Sequence, residues 1–314
     1  MRPNRGLLAV LAILLLLGAA TDARPTVQRG GLIVFSRADA AGRYGVWTVA
    51  PGTGVLRRVT RGCGWDWFPA WSPDGRRIAF ARACGKFQPG SFDLGLYTAR
   101  ADGTGLRRLV HSRTNDEWPS WSPDGSRIAF VSGEPQWAKP GQPGDAAAEL
   151  WVVGSNGRGL ERLTHNSVRE AAPAWSPDGK WIAFTSGRRG HAGLWTVAAD
   201  GGHPHPLGLV GGEVAWSPDG TRLAFAHTRS GAGRESVDVY VANADGTGSR
   251  RLTHERVGVV SHHPAWSPDG RSIVYATNRD SAQVNLWTVG ADGRNARQLT
   301  HSPIEDADPD WRPA

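Results

Sequence analysis

Short apolar runs separated by polar turns dominate the chain, and outside the N-terminal segment no stretch has a sustained helical period. Five of these runs have strand length and follow a Ser-Pro-Asp-Gly turn. They are residues 78–80, 128–130, 182–184, 223–225 and 273–275. Each is followed by a segment with an aromatic residue, a Gly-containing turn, and a last short segment such as Arg-Leu-Thr. The pattern predicts antiparallel blades of four strands, which we call A to D in chain order.

The residue before each Ser-Pro-Asp-Gly turn is tryptophan, and this string marks an internal repeat. The copies begin at Trp71, Trp121, Trp175, Trp216 and Trp266, and a truncated sixth copy begins at Trp311. The spacings are 50, 54, 41, 50 and 45 residues. Such a period is typical of a four-stranded propeller blade.

The two ends of the chain together form one further blade. Residues 32–35, 46–49 and 56–59 have the pattern of strands B, C and D, and no strand A precedes them. The C-terminal residues 308–311 supply the missing strand, which would remove the open edges of a linear array. The sequence therefore predicts an all-β protein, a six-bladed β-propeller of four-stranded antiparallel blades, with the ring closed by the C-terminal strand.

The N-terminal segment has the pattern of an export signal. Arg2 and Arg5 precede an apolar run at residues 7–17, which is shorter than the roughly 20 residues of a membrane-spanning helix. We interpret residues 1–23 as a signal peptide and residues 24–314 as the propeller. The protein is then exported to the periplasm, the cell envelope or the medium, and membrane contact is expected only if the signal stays uncleaved.

The repeat Pro-x-Trp-Ser-Pro-Asp-Gly-x-x-Ile-Ala-Phe, followed by Leu-Trp-x-Val, Asp-Gly and Arg-Leu-Thr, resembles the WD40-like repeat of the TolB family. The resemblance covers essentially the whole mature chain and implies the propeller fold. TolB proteins carry an α/β domain before the propeller, whereas only a short segment precedes the first strand here. A role of that domain, including contact with the Tol membrane proteins, is therefore not implied for this chain.

Composition and motifs narrow the function classes. The formal charge is +7, but the basic residues form no run or stripe, so a nucleic-acid partner is not expected. The sequence contains no Gly-x-Ser-x-Gly elbow, no His-Glu-x-x-His and no phosphate loop. We therefore expect a protein that is not an enzyme and that has no cofactor.

The frame of the repeat assigns ten of the fifteen tryptophans to the core between blades. They are Trp71, Trp121, Trp175, Trp216, Trp266 and Trp311 in strand A, and Trp47, Trp151, Trp195 and Trp287 in strand C. The Asp of each Ser-Pro-Asp-Gly is expected to cap its own turn.

The two faces of the propeller differ in their connections. The A–B and C–D turns lie on one face and are short and repetitive, whereas the B–C and D–A connections lie on the other face and vary. Variable loops on a rigid scaffold are where binding is expected. We predict that a protein or peptide partner binds this variable face and that the chain is a monomer.

Acidic residues and two histidines occur just before the strand-A tryptophans. Because strand A is innermost, we expect them to rim the central channel and to bind a cationic segment or a cation. Solvated polar residues around a wet channel are the alternative. The candidate rim residues are Asp66, Asp116, Glu117, Glu170, Glu213, His262, His263, Asp306 and Asp308.

Four of the five tryptophans outside the repeat frame are expected in one sector of the variable face. They are Trp65, Trp67, Trp118 and Trp137. Exposed aromatics in one patch suggest partner anchors or sugar-stacking platforms. Packing beneath the long loop at residues 132–148 is the alternative.

The only two cysteines, Cys63 and Cys84, are equidistant from the centre of an A–B turn. Residues at equal distance from a hairpin turn face each other across the ladder. In an oxidising compartment we predict a disulfide between them.

Two functions remain open. The first is a non-enzymatic, extracytoplasmic binding propeller. The second is a carbohydrate-active propeller, because oligogalacturonate lyases have related repeats and hold a metal with histidines at the channel mouth. For the second function, His262 or His263 would have to combine with further ligands.

Overall fold

The computed structural model describes residues 31–62, 64–84, 94–110, 112, 114–133, 148–166, 168–188, 190, 192–231 and 234–314. Within these ranges the chain forms 24 strands in six four-stranded antiparallel sheets. The sheets are the blades of a ring, which confirms the predicted six-bladed β-propeller. Among the described residues there is no helix with the length and apolar character needed to cross a membrane.

The strands follow the chain in order, and only the first blade combines the two ends. Blade 1 contains β1 (Ile33–Ala38), β2 (Tyr44–Val49), β3 (Leu56–Arg58) and β24 (Asp306–Trp311). Blade 2 contains β4 (Gly64–Trp71), β5 (Arg77–Cys84), β6 (Gly95–Arg100) and β7 (Arg107–Arg108). Blade 3 contains β8 (Asn115–Trp121), β9 (Arg127–Gly133), β10 (Glu149–Gly154) and β11 (Glu161–Arg162).

The remaining three blades repeat the same arrangement. Blade 4 contains β12 (Glu170–Trp175), β13 (Trp181–Ser186), β14 (Gly193–Ala198) and β15 (His205–Pro206). Blade 5 contains β16 (Gly212–Trp216), β17 (Arg222–Gly231), β18 (Arg234–Asn243) and β19 (Arg250–Arg251). Blade 6 contains β20 (Ser261–Trp266), β21 (Ser272–Thr277), β22 (Asn285–Gly290) and β23 (Arg297–Gln298).

Ring closure occurs as predicted. Strand β24 pairs with β1 as the strand A of blade 1, with Trp311 opposite Ile33 and Asp306 opposite Arg37. The edge of β1 that would otherwise be open is therefore paired.

The A–B turns are held by their own side chains. In the first copy, the Ser72 hydroxyl accepts the amide N–H of Arg77 at 2.9 Å, and Asp74 Oδ1 accepts the amide of Arg76 at 3.0 Å. Gly75 has a φ of 62°, a conformation that glycine adopts without a steric penalty. The same contacts recur in the later copies, which confirms the capping role of the repeated aspartate.

The core lies between the blades. One apolar cluster joins Val34 and Val46 of blade 1 to Trp71, Ile78 and Phe80 of blade 2, and each of these five residues is at most 4% exposed. Five of the six strand-A tryptophans are buried, and Trp216 is half-buried. Of the predicted strand-C tryptophans, Trp195 and Trp287 are buried. Trp47, Trp151 and Trp216 are half-buried and pack against the apolar clusters, so the predicted packing between blades is confirmed.

The register between strands A and B is not the simple ladder that the sequence suggests. In all six blades it shifts by one residue near the middle of strand A, as expected for a β-bulge. In blade 2 the shift places Gly64, not residue 63, opposite Cys84. Cys63 lies outside the described residues, so the disulfide stays a prediction.

Candidate functional site

The β-bulges give six non-glycine residues a left-handed backbone conformation at the same position of each blade, three residues before the strand-A tryptophan. Their φ angles lie between 47° and 59°. The six residues, which we call the bulge ring, are Phe68, Trp118, Ala172, Glu213, His263 and Asp308. Such a conformation costs about 1–3 kcal/mol per residue and tends to occur at functional sites.

All six residues of the bulge ring line one cavity of about 310 Å³ in the central channel. The lining continues along strand A through the tryptophans to Pro177 and Pro313. Pro177 lies two residues after Trp175 of blade 4, and Pro313 lies two residues after Trp311 of blade 1. The cavity therefore occupies the half of the channel nearer the A–B turns.

Aromatic side chains narrow the channel at the level of the bulge ring. The ring centroids of Phe68 and Trp118 lie 4.9 Å apart, and those of Trp118 and His263 lie 6.0 Å apart. Trp118 belongs to blade 3 and His263 to blade 6, on opposite sides of the six-membered ring. Their contact therefore closes much of the channel at this depth.

The bulge ring has an apolar arc and a polar arc. Phe68, Trp118 and Ala172 of blades 2 to 4 form the apolar arc. In the polar arc, His263 stands between two carboxylates, with Nε2 at 3.2 Å from Glu213 Oε1 and Nδ1 at 3.0 Å from Asp308 Oδ1. A ligand in this channel therefore meets aromatic surface on one side and carboxylate oxygens on the other.

His262 extends the polar arc. Its Nδ1 lies 2.9 Å from His263 Nδ1, and the backbone N–H of His263 donates to Glu213 Oε2 at 2.7 Å. Burial alone would raise the pKa of Glu213, but the charges of His263 and His262 outweigh it and hold that pKa below its ordinary value. Burial and the neighbouring His263 lower the pKa of His262.

These side chains could hold a metal ion. One ligand atom each from Glu213, His262 and His263 lie within 4.8 Å of one another. Two imidazoles and a carboxylate form a donor set that suits Zn²⁺ and other first-row divalent metals. The carbohydrate-active alternative requires a further metal ligand beside His262 or His263, and Glu213 is in place to provide one.

Four predicted rim acids lie elsewhere, and their placement corrects the prediction. The residues Asp66, Asp116, Glu170 and Asp306 are at most 1% exposed, and none lines the channel cavity. Each of these acids lies two residues before the bulge-ring residue of its blade, and its side chain faces the neighbouring strand and not the channel. There each meets a polar partner from the adjacent strand or its following loop.

The partners of these acids are mostly arginines. Asp66 binds Arg82 at 2.6 Å, and Asp306 binds Arg37 at 2.6 Å, in both cases directly across the A–B ladder. The other two pairs are Glu170 with Arg188 at 3.0 Å and Asp116 with the hydroxyl of Ser132 at 2.8 Å.

Burial also changes the titration of two acids in blade 3. It raises the pKa of Asp116 to about 6, against the hydrogen bonds from Ser132 and Ser112. It raises the pKa of Glu117 to about 7, against the charge of Arg169. Glu117 is 6% exposed and does not line the channel cavity.

The off-frame aromatics divide into two groups. Trp118 belongs to the bulge ring. Trp65 and Trp67 have ring centroids 5.7 Å apart and pack, half-buried, against Ala81, Ala83 and Leu94. Trp137 lies outside the described residues, so the predicted single patch of four is untested.

Asp310, two residues after the bulge ring, is a channel-lining acid that the sequence reading missed. Its carboxylate Oδ2 accepts the backbone N–H of Trp71 at 2.7 Å. Burial raises its pKa to about 7, against the N–H groups of Trp71 and Trp311. The other five blades have Ala or Ser at this position.

We expect Asp310→Asn to stabilise the protein at pH 8. The pKa of Asp310 is higher in the folded state than in the unfolded state. The contribution of its carboxyl group to the free energy of unfolding is therefore complete below the unfolded pKa near 3.8, and it is lost as the pH rises through about 7. Asparagine stays neutral and can still accept the Trp71 N–H. For a fully buried group, each unit of pKa difference between the folded and unfolded states changes the free energy of unfolding by about 1.4 kcal/mol. The change is smaller for Asp310, because its side chain lines the channel.

Urea unfolding at several pH values between 5 and 8 measures the effect. The gain in unfolding free energy over wild type should shrink as the pH falls. Asp102→Asn, in an exposed C–D turn, is the control and should keep the wild-type pH dependence. An Asp310→Asn curve parallel to wild type would contradict the assignment.

The fold and its channel define the protein as a six-bladed propeller with a bulge-lined central cavity. The family described as the TolB beta propeller domain (PD40) matches residues 140–314, more than half of the chain. The chain belongs to this family.

Similar proteins agree with that membership. The Tol-Pal system protein TolB of Desulfosudis oleivorans is 30% identical over 110 residues, which are 35% of this chain and 25% of that protein. The crystal structure of TolB from Acinetobacter baumannii aligns with a TM-score of 0.74 at 23% identity, covering 90% of this chain and 67% of that one. An oligogalacturonate lyase from Vibrio parahaemolyticus aligns with a TM-score of 0.56 at 15% identity, covering 87% of this chain and 75% of that one.

The chain spans a quarter or less of the length of the curated relatives it matches. The likenesses to solved structures concern the fold.

Proposed function

We propose that this chain is a non-enzymatic binding propeller that takes an extended segment of a protein or peptide partner into its central channel. The observation that carries the proposal is the bulge ring, in which six left-handed residues direct their side chains into one cavity. Its apolar arc suits an apolar side chain, and its carboxylates suit a basic end. Charge then steers the encounter, and buried aromatic contact supplies affinity.

The proposed binding site differs from the one that the sequence predicts. The described cavity lies toward the A–B turns, whereas the variable face was predicted to bind. The B–C connections include residues 85–93 and 134–147, which lie outside the described residues. Partner binding on the variable face is therefore the rival that an experiment must separate.

We expect Trp118→Ala to weaken binding by about 2 kcal/mol or more, as for a buried aromatic anchor. The probe is a peptide selected from a random display library on the purified wild-type protein, and its affinity is measured by calorimetry. Glu213→Gln should weaken binding more at low than at high salt, because salt screens the lost charge.

Trp67→Ala is the matched control, because Trp67 is half-buried, one residue from Phe68, and outside the channel lining. It should leave the affinity nearly unchanged. If the selected peptide loses affinity with Trp67→Ala and keeps it with Trp118→Ala, the channel proposal is wrong and the variable face is supported.

We further propose that the propeller works outside the cytoplasm, as the N-terminal signal pattern and the likeness to TolB suggest.

The polar arc supports a second function, a carbohydrate-active propeller with a metal held by Glu213, His262 and His263. After dialysis against Mn²⁺ or Zn²⁺ and removal of excess ion, elemental analysis should find about one metal per chain under this alternative. His263→Ala should lose that metal. A wild-type protein without retained metal would exclude this alternative and leave the binding function.

A further inference from the structure

A cleft of about 590 Å³ lies between blades 4 and 5, on the face of the A–B and C–D turns. Its walls include Trp181 at the start of β13, which is 40% exposed, and the half-buried Trp216. The cleft shares Trp216 and Pro177 with the channel cavity.

At two other blade junctions, between blades 3 and 4 and between blades 5 and 6, an arginine lies at this place. The residue that starts strand B is Arg127 in blade 3 and Arg222 in blade 5. The guanidinium of Arg127 lies 5.0 Å from the ring centroid of Trp175 in the next blade, and that of Arg222 lies 4.6 Å from Trp266. In each case a cation covers the strand-A tryptophan of its neighbour.

Blade 4 has Trp181 instead of this arginine, since Trp175 pairs with Ile182 just as Trp121 pairs with Ile128. An arginine at position 181 would cover Trp216, the strand-A tryptophan of the next blade. It is the one member of the six strand-A tryptophans that is not buried. The substitution therefore removes an internal cation and leaves an aromatic surface open.

The backbone carbonyl groups that accept hydrogen bonds from these two arginines have equivalents in the cleft. Arg127 donates to the carbonyl oxygen of Ala199 at 3.2 Å, and Arg222 donates to that of Gly270 at 3.5 Å. The corresponding residues of blade 5 are Ala244 and Gly220, and both line the cleft. Ala244 matches Ala199 because each donates its amide to the carbonyl of the residue just before strand B.

The charge of the cleft is negative. Asp178, Asp219 and Asp245 line it, and hydrogen bonds within their turns hold the pKa of each carboxyl below its ordinary value. Among the described residues, its lining contains no lysine or arginine. Lys180 lies nearby, with its ammonium 3.8 Å from Asp178 Oδ2 and its side chain 75% exposed.

We propose that the cleft between Trp181 and Trp216 binds the arginine side chain of a protein or peptide partner, whose guanidinium lies over Trp216. The incoming guanidinium restores the cation–π contact that the chain makes internally at the neighbouring junctions, and it can donate to the carbonyls of Gly220 and Ala244. The carboxylates attract it. This site does not depend on what the channel binds.

The probes are N-acetyl-arginine amide and N-acetyl-citrulline amide, which differ in the guanidinium and its neutral urea counterpart. Binding is followed by the indole N–H signals in two-dimensional NMR of the whole protein. We expect the signals of Trp181 and Trp216, assigned by substitution, to shift with the arginine probe. The affinity should be about tenfold higher than for citrulline, as for a desolvated cation–π contact.

Trp181→Arg supplies the internal guanidinium and should abolish binding of the arginine probe. Ser272→Arg adds the same charge at the equivalent position of blade 6 and should leave binding unchanged. Asp245→Asn keeps its turn acceptor, and it should weaken binding at low salt even if Trp181→Arg folds poorly.

Three results would overturn the proposal. Citrulline binding equal to arginine would mean that the guanidinium is not recognised. Binding retained in both Trp181→Arg and Asp245→Asn would place the site elsewhere. No saturable shift of either indole would mean that the cleft does not bind arginine.

Discussion

Deletion of residues 306–314 should remove most of the stability of the propeller. The deletion takes β24 from blade 1, and with it the buried Trp311 and the Asp306–Arg37 ion pair. Removing a large buried aromatic alone costs about 3–5 kcal/mol. That is a large part of the 5–15 kcal/mol of a typical domain. The open edge of β1 should also promote aggregation.

Thermal unfolding and size-exclusion chromatography measure this effect. A shorter deletion, residues 313–314, keeps Arg312, whose N–H donates to the carbonyl of Leu32 and whose guanidinium lies over Trp71. This control should remain monomeric with a nearly unchanged melting temperature. A monomeric 306–314 deletion with the wild-type melting temperature would contradict ring closure as a source of stability.

Asp66→Ala should destabilise the protein by about 3–5 kcal/mol, the cost of leaving one partner of a buried ion pair without the other. The side chains of Asp66 and Arg82 are 2% and 4% exposed, and two hydrogen bonds of 2.6 and 2.8 Å join them. Removal of the carboxylate leaves the Arg82 charge buried. Urea unfolding at neutral pH measures the loss.

Two further variants test the cause. Lys180→Ala breaks an exposed pair with Asp178, and a loss below about 1 kcal/mol is expected there. Combining Asp66→Leu with Arg82→Met should recover much of the stability lost in Asp66→Ala, because both charges are then absent. A double variant less stable than Asp66→Ala would show that the charge imbalance is not the cause.

The repeat in the sequence was sufficient to predict the ring, the blade count and the closing strand. Each Ser-Pro-Asp-Gly string carries its own turn, and the missing strand A of blade 1 could be found at Trp311 by counting. These features depend on local turn chemistry and on the order of the strands, and both can be read from the chain.

The identity of the strand-A residues that line the channel could not be predicted from the sequence in the same way. Asp306 and Asp308 are two residues apart, so a simple alternation places both at the channel. The register shift at the β-bulge leaves Asp308 in the channel lining and Asp306 paired with Arg37. One signal was available. Proline follows the bulge residue in five blades, and proline within a strand indicates an edge or a bulge.

The cleft at blades 4 and 5 was also visible in part. Trp181 occupies a position that is arginine in blades 2, 3 and 5. Its consequence for Trp216 required the packing of neighbouring blades, because the covering arginine and the covered tryptophan belong to different repeats.

Photocrosslinking from position 172 tests most directly whether the partner segment enters the channel. Ala172 belongs to the bulge ring, and Phe68 and Trp118 occupy its equivalents with the same backbone conformation. A benzoylphenylalanine placed there should therefore be accommodated. We expect the selected peptide to crosslink from position 172 and not from position 67 on the neighbouring surface. Crosslinking from position 67 alone would contradict a binding site in the channel.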